Sequence, residues 1–254
     1  MGRLDDKVAV VTGAARGLGR AVAEAYAAEG ATVVVSDVDG EGAGRVADAL
    51  GGRGVSAVCD VTHEAAVADL VDGAVERHGR LDVVVANAGV GRPRPLLEMD
   101  LAEWRSVTSV NLDGVFLCTR HAGRVMSAAG GGVIVNMCSI TAFSGFPMLA
   151  HYAAAKAGVR SLTQTAAVEL RRAGVRVNCL CPGFVGTDMV EDSRQQFEKM
   201  LGLEDFDAAI TAKQGRYGTA EEVARLAVFL ASERSVFSTG GAFVLDGGAT
   251  ASLL

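Results

Sequence analysis

Seven short runs of apolar, mostly β-branched residues punctuate the chain at 8–12, 32–36, 55–58, 83–87, 133–137, 175–181 and 242–245. Most are apolar at nearly every position rather than at every second one. A strand of that kind is buried on both faces, as in a parallel sheet covered on two sides. Alanine-rich segments of helical period separate the runs. In 64–78, Val67, Leu70, Val71 and Val75 form one stripe, and Glu64, Asp69, Asp72 and Glu76 fall mostly off it. Strands alternating with helices predict an α/β fold, a doubly wound parallel sheet of seven strands with helices on both faces. The 254 residues fit one large domain, and half of them are hydrophobic, enough for a sizeable core. No repeat, low-complexity tract or linker interrupts residues 1–254. Only 188–218 breaks the rhythm. It is long, mixed in charge and without a strand pattern, and it is expected to form a lid.

Charge and cysteine usage exclude several classes. The net charge of −6 offers no basic face for nucleic acid. The start, MGRLDDKVAVV, has no secretory pattern, and Asp6 stands where a myristoylation site needs Ser or Thr. No apolar stretch approaches the ~20 residues of a membrane span. A protein away from membranes, in the cytoplasm, is expected. The five cysteines (Cys59, Cys118, Cys138, Cys179, Cys181) show no CxxC pair and mostly sit in apolar runs, so buried reduced thiols are expected. The histidines are scattered, without HExxH, so no ligand set for a catalytic metal is visible.

The stretch TGAARGLG follows the first run and opens a helical segment, placing Gly13, Gly17 and Gly19 within eight residues. Such glycines serve a tight turn and close approach of a large ligand to the main chain. Backbone N–H groups at a helix start can face a pyrophosphate. The expectation is a Rossmann-type dinucleotide site beyond the C-terminal strand ends. Asp37 closes the second run, where a carboxylate accepts from both adenosine ribose hydroxyls and repels a 2′-phosphate. That favours NAD over NADP, while Arg16 inside the loop argues the other way. Asp37 is also placed to cap the helical segment that begins at Gly40.

YAAAK puts Tyr152 and Lys156 on one helix face, four residues apart. A free tyrosine has a pKa near ~10, and a neighbouring ammonium favours its phenolate, so the pair suits acid/base chemistry. Ser139 follows the fifth run at the same sheet edge, where its hydroxyl can meet a substrate carbonyl. Asn111 sits mid-helix, a poor place for Asn by propensity.

With these residues in place, the chain resembles the short-chain dehydrogenase/reductase family in its compact single-domain branch of ~250 residues. TGAARGLG, ANAG (86–89), Ser139 with YAAAK (152–156), PGFVGT (182–187) and VLDGG (244–248) carry the resemblance in the family's order. The resemblance implies Tyr152 as catalytic acid/base, with Lys156 binding the nicotinamide ribose and tuning it. Ser139 would polarise the carbonyl, and Asn111 would hold a water linked to Lys156. Gly13, Arg16, Gly17, Leu18 and Gly19 would meet the dinucleotide phosphates. Asp37, Asp60 and Val61 would hold the adenosine, Asn87, Ala88 and Gly89 the ribose side, and Pro182, Gly183, Val185 and Thr187 the nicotinamide. Ala86 and Cys138 depart from the usual pattern without removing a reacting group.

An NAD(H)-dependent oxidoreductase interconverting a secondary alcohol and a ketone is therefore expected. The alternatives are an NADPH-dependent 3-oxoacyl-[acyl-carrier-protein] reductase, against which Asp37 speaks, and a catalytically dead nucleotide sensor. The lack of a clear basic patch for an acidic carrier also speaks against the first, although Arg171 and Arg172 are adjacent. Ser139, Thr141, Phe146, Tyr152, Phe184 and Met189 are expected to touch substrate. Phe143 and Met148 are expected on the same apolar rim, and Phe197, Met200, Leu201, Leu203 and Phe206 on the lid. These side chains suit a medium-sized, largely apolar substrate. Arg92, Arg94 and His151 are expected at the surface. The segments 100–129 and 150–173 are expected to be long helices, and the small residues of the second with the apolar end ATASLL point to a homotetramer built as a dimer of dimers.

Overall fold

The computed structural model describes residues 2–251. All seven runs become strands: β1 Val8–Thr12, β2 Thr32–Asp37, β3 Gly54–Val58, β4 Val83–Ala86, β5 Gly132–Met137, β6 Val175–Pro182 and β7 Ala242–Leu245. They form one sheet in the order β3-β2-β1-β4-β5-β6-β7, with every neighbour parallel. The order reverses direction between β1 and β4. A crevice opens there beyond the strand ends, the position where open α/β sheets bind ligands.

The connections carry ten α-helices among the described residues: α1 Gly17–Ala28, α2 Gly40–Ala49, α3 Glu64–His78, α4 Leu101–Thr108, α5 Gly114–Ala129, α6 Ala150–Leu170, α7 Asp188–Glu191, α8 Arg194–Leu201, α9 Phe206–Gln214 and α10 Ala220–Ala231. The period of two along each strand divides the core into two layers. Ala9 and Val11 of β1 pack with Val22 and Tyr26 of α1, Val46 of α2 and Val228 of α10. Val8 and Val10 face the other side, with Val67 and Val71 of α3, Val115 of α5 and Val159 of α6. Each such fully buried valine stabilises the fold by ~1.5–3 kcal/mol relative to exposure. Tyr26 is fully buried, and its hydroxyl donates to the Ala227 carbonyl at 3.1 Å. That bond ties α1 to α10 and satisfies the one polar atom of the ring.

Two local features differ from expectation. The helix at Gly40 is capped by Asp39, whose carboxylate accepts from Gly42 N at 2.9 Å, and not by Asp37. The stretch 100–129 is not one regular helix. A capping box between Asp100 and Glu103 starts α4, and a π-helical turn, Ser109–Asp113, joins it to α5. Asn111 sits in that turn.

The segment 188–218 contains α7, α8 and α9. Phe197, Phe206 and Ile210 join Met148 and Leu149 in a third apolar cluster, separate from the two main layers. Phe197 stacks on Phe206 with centroids 5.1 Å apart, Phe146 meets Phe197 edge-on at 5.4 Å, and Phe184 meets Phe206 edge-on at 5.6 Å. Such pairs add ~0.5–1.5 kcal/mol each beyond their buried area. No helix among the described residues is long and apolar enough to cross a membrane. The last residues of the apolar end, 252–254, lie outside the described residues.

Candidate active site

A cavity of about 510 Å³ lies over the C-terminal ends of the strands around the β1/β4 crevice. Gly13, Arg16, Gly17 and Leu18 line the end expected to hold the dinucleotide phosphates. Gly13 (φ 64°) and Gly17 (φ 57°) adopt the left-handed backbone that glycine enters without penalty. A Cβ on Gly13 would stand 2.7 Å from the Ala88 Cα, so loop and β4 can touch only with glycine here. At Gly17 the nearest atom is 3.9 Å away, and the backbone lies open to the cavity. Gly19 differs from the expectation. It does not line the cavity, and its Cβ would meet the Gly13 carbonyl oxygen at 2.1 Å. Its role is to let α1 close against the loop.

The loop is clipped from below. Asn87 donates through Nδ2 to the Thr12 and Gly13 carbonyls at 2.9 and 3.0 Å. Thr12 Oγ1 accepts from the N–H groups of Asn87 and Ala88 at 3.1 and 3.2 Å. At the end expected to hold the adenosine, Asp37 accepts from Ala15 N and from Asp39 N, both at 3.0 Å, and lines the cavity with Asp60 and Val61. The Thr62 hydroxyl and N–H hold the Asp60 carboxyl below the usual range. The exposed Arg16 guanidinium lies 3.7 Å from Asp188 and so leans toward α7.

Asn87, Ala88 and Gly89 line the middle of the cavity, and Pro182, Gly183, Val185 and Thr187 its far side. Gln214, which no motif or periodicity marks, is buried and clamps this stretch. It accepts from Phe184 N at 2.8 Å and donates to the Phe184 carbonyl at 2.7 Å. Asp246, in VLDGG, accepts from Gly248 N and Thr250 N and folds the last turn beneath Gly183.

Ser139, Tyr152, Lys156 and Asn111 all line the same cavity. Tyr152 and Lys156 lie one turn apart on α6, and the Lys156 ammonium stands 5.4 Å from the Tyr152 ring centroid. Lys156 Nζ donates to the Met137 carbonyl at 2.7 Å. Burial pushes its pKa down to about 8, against the pull of the Cys138, Cys181 and Cys179 sulfurs. Burial pushes the Tyr152 phenol up to about 12, and the hydrogen bond with Ser139 draws it back. Asn111 is fully buried, and its Nδ2 donates to the Val90 and Val107 carbonyls, both at 2.9 Å. Its Oδ1 is buried with no protein partner, next to the position a Gly89 Cβ would fill. An acceptor left free at the floor of the cavity suits a bound water, the part the resemblance gives Asn111.

The apolar wall holds Phe146, Phe184 and Met189 as expected, with Thr141 beside them and Leu149, Val190 and Phe197 added. Phe143 and Met148 do not line it. Phe143 is exposed beneath the Arg160 guanidinium at 4.6 Å, and Met148 is buried in the third cluster with φ 67°. Of the five apolar residues expected on the lid, Phe197 alone reaches the cavity, joining Met189 and Val190 of the same segment. Phe206, Leu201 and Leu203 pack in the cluster, and Met200 is exposed. Arg92 and Arg94 stay outside, bonded to Ser106 and paired with Glu98 and Glu103. His151 is a correction: it is fully buried rather than at the surface. Its Nδ1 accepts from Tyr152 N at 2.8 Å, and burial lowers its pKa against the pull of the Arg92 carbonyl and Glu103. The 90–94 loop covers the first turn of α6, which periodicity alone does not reveal.

Residues 13–250 match a family model described as enoyl-(acyl carrier protein) reductase. The chain is 47% identical over 253 residues to cis-4-hydroxycyclohexanecarboxylate dehydrogenase of Sinomonas cyclohexanicum, covering 97% of each. The chain belongs to the short-chain dehydrogenase/reductases. It is also similar to the 3-oxoacyl-[acyl-carrier-protein] reductase of Thermotoga maritima, at 38% identity over 97% of this chain and 98% of that one. The crystal structure of levodione reductase superposes with a TM-score of 0.93 at 36% identity, covering 98% of this chain and 100% of the other. As a short-chain dehydrogenase/reductase, the protein is an oxidoreductase that interconverts a secondary alcohol and a ketone with a nicotinamide dinucleotide.

Proposed function

We propose that the protein is an NAD(H)-dependent dehydrogenase of a compact, largely apolar secondary alcohol, best exemplified by a substituted cyclohexanol. One observation carries the reading: Ser139 and Tyr152 share a single cavity with a wall of Phe146, Phe184, Phe197, Leu149 and Met189. A ring seated against that wall buries apolar area worth ~25 cal/mol per Å², with its oxygen toward the two hydroxyls. The dehydrogenase at 47% identity is named for a hydroxylated cyclohexane ring.

Bound NAD(H) supplies the hydride acceptor or donor. Ser139 orients the substrate oxygen and donates to it as charge develops. Tyr152 exchanges the proton with that oxygen. Its raised pKa keeps it protonated at neutral pH, the form that donates in ketone reduction. Alcohol oxidation needs the phenolate, which the Lys156 ammonium favours. Asn111 holds a water below Lys156 through its free Oδ1, completing a path for the proton.

The preference for NAD rests on Asp37. Its fixed carboxylate suits ribose hydroxyls, and Arg16, the loop cation suited to a 2′-phosphate, leans toward Asp188. The segment 188–218 acts as the lid of a single unit. The free, buried thiols suit a reducing compartment, the cytoplasm. Exposed Phe116 on α5, Val168 on α6, Val244 on β7 and Phe237 are apolar side chains that a dimer of dimers would cover.

The test is a screen of cyclohexanols and cyclohexanones, polyols, short hydroxy acids and a 3-oxoacyl thioester with NAD(H) and NADP(H), read at the nicotinamide absorbance. Highest kcat/KM for a cyclic alcohol with NAD supports the proposal. A tenfold advantage for a polyol, or for the thioester with NADPH, refutes it.

A further inference from the structure

Cys179 and Cys181 stand two apart on β6 and so share one face of the sheet. The β5–β6 register pairs Asn136 with Cys179 and Met137 with Leu180, which brings Cys138, one residue past β5, beside Cys181 on that face. The three sulfurs all lie within 4.8 Å of one another, and Cys179 and Cys181 are 4.0 Å apart. All three residues are buried, at 2%, 0% and 0% exposure. The cluster lies directly behind the catalytic residues. Ser139 follows Cys138 in the chain, and the Cys138 thiol donates to the Lys156 carbonyl at 3.2 Å.

We propose that Cys138, Cys179 and Cys181 form a three-sulfur site for a thiophilic d¹⁰ cation, Cu(I), whose occupation stops turnover.

Three observations carry the proposal. The first is geometry. Three sulfurs bonded to a trigonal ion at about 2.3 Å stand about 4.0 Å from each other, and thiolate bonds to such ions have about that length. The Cys179–Cys181 separation already equals this value, and the remaining contraction is under an ångström. The second is ligand type. Soft sulfur donors select Cu(I), and a site of three sulfurs suits trigonal copper. Zinc takes a fourth ligand, and among the described residues no further Cys, His, Asp or Glu joins the cluster. The third is position, since Cys138 is also a residue of the cavity wall and sets the cluster beside the cavity.

Cu(I) bound by three thiolates releases three protons and leaves a centre of charge −2, one unit of which the nearby Lys156 ammonium offsets.

The consequence for turnover follows from the backbone. Drawing the Cys138 sulfur toward β6 shifts Ser139, its chain neighbour, and the Met137 carbonyl that holds Lys156 Nζ. Ionising Cys138 also removes the donor to the Lys156 carbonyl. Inhibition rests on the dehydrogenase reading above, whereas metal binding does not.

The experiment titrates the whole protein with Cu(I) without oxygen, in competition with a chromophoric Cu(I) chelator, and records copper X-ray absorption. One equivalent with three sulfur neighbours is expected. Cys179→Ala and, separately, Cys181→Val should each weaken binding by more than the ~10–100-fold that loss of an outer-shell partner costs. Cys59→Ser, elsewhere in the core, should leave it unchanged. Circular dichroism confirms that each variant is folded. Failure to retain copper against the chelator overturns the proposal. So does copper bound equally by both cluster variants, or lost from Cys59→Ser. In activity assays, one equivalent should abolish turnover in the wild type and spare Cys179→Ala. Full activity of the copper-loaded wild type overturns the inhibitory role. Absence of turnover in copper-free enzyme refutes the dehydrogenase reading and leaves the binding result standing.

Discussion

Replacing Gly19 by alanine tests how the phosphate loop is built. Two effects oppose each other. Gly19 lies inside α1, where alanine improves helix propensity by up to ~1 kcal/mol. Its Cβ, however, would stand 2.1 Å from the Gly13 carbonyl oxygen and 2.5 Å from Asn87 Nδ2. Ordinary contact begins near 3.4 Å, so the loop or the helix must shift by more than an ångström. A shift of that size breaks the two Asn87 bonds to Thr12 and Gly13, each worth ~1 kcal/mol. Overpacking adds ~1–3 kcal/mol. The steric term wins, and Gly19→Ala should destabilise the protein by ~2–4 kcal/mol. Gly44 in α2 and Gly73 in α3 are the controls. Neither has a positive φ, and no atom lies within 4 Å of a Cβ added at either. There the helix term acts alone, and each alanine should stabilise by ~0.5–1 kcal/mol. Urea unfolding at pH 7 with an unchanged m-value measures all three. Titration of nicotinamide fluorescence should show weaker cofactor binding for Gly19→Ala only. A Gly19→Ala protein as stable as the wild type would refute the packing argument.

Tyr152→Phe should lower kcat by ~10²-fold or more, the range for a lost general acid/base, with cofactor affinity unchanged. More than about a third of the rate remaining would exclude Tyr152 as the proton carrier. Asp37→Ala should shift the NAD/NADP preference toward NADP by ~10-fold or more, the size of one charged hydrogen-bond contact, measured as the ratio of kcat/KM values. An unchanged ratio would remove Asp37 from cofactor choice. His151 is buried with its pKa below the ordinary 6.5. The unfolded chain therefore takes up its proton first as pH falls below 6.5, and stability declines from there toward the folded-state value. His151→Asn, which keeps an acceptor for Tyr152 N, should flatten that part of the stability–pH curve, and an unaltered slope would count against it.

The sheet was legible because strands buried on both faces leave a continuous apolar signature that helices do not share. All seven runs became strands within a residue or so at each end. The site residues were legible through side chains that make poor sense as plain structure, such as glycines crowded at one turn and Tyr152 and Lys156 on one helix face. Features set by contacts distant in sequence were not. Gly19 has the same spacing signal as Gly17, yet one faces Gly13 and the other the cavity. The π turn at Asn111 depends on the Val90 and Val107 carbonyls that hold its amide. His151 is covered by a loop some 60 positions upstream. Asp39, rather than Asp37, caps α2 because Asp37 is already engaged by Ala15 and Asp39. Cys138 meets Cys179 and Cys181 only through strand register, which no CxxC-type spacing could report.

The aromatic cluster under the lid also limits how this enzyme can change. Phe146, Phe184 and Phe197 line the cavity and at the same time tie α8 and α9 to the body through Phe206. With 188–218 as the lid proposed above, the wall that would read substrate shape is also the fastening of the segment that would close over it. A single exchange that enlarges the cavity slackens the closure, and one that fills it props the segment open. Substrate range and closing rate are therefore inherited together. Lineages that acquire new substrates at this site should do so through paired replacements that conserve the total volume of the four rings, and lone substitutions there should be rare.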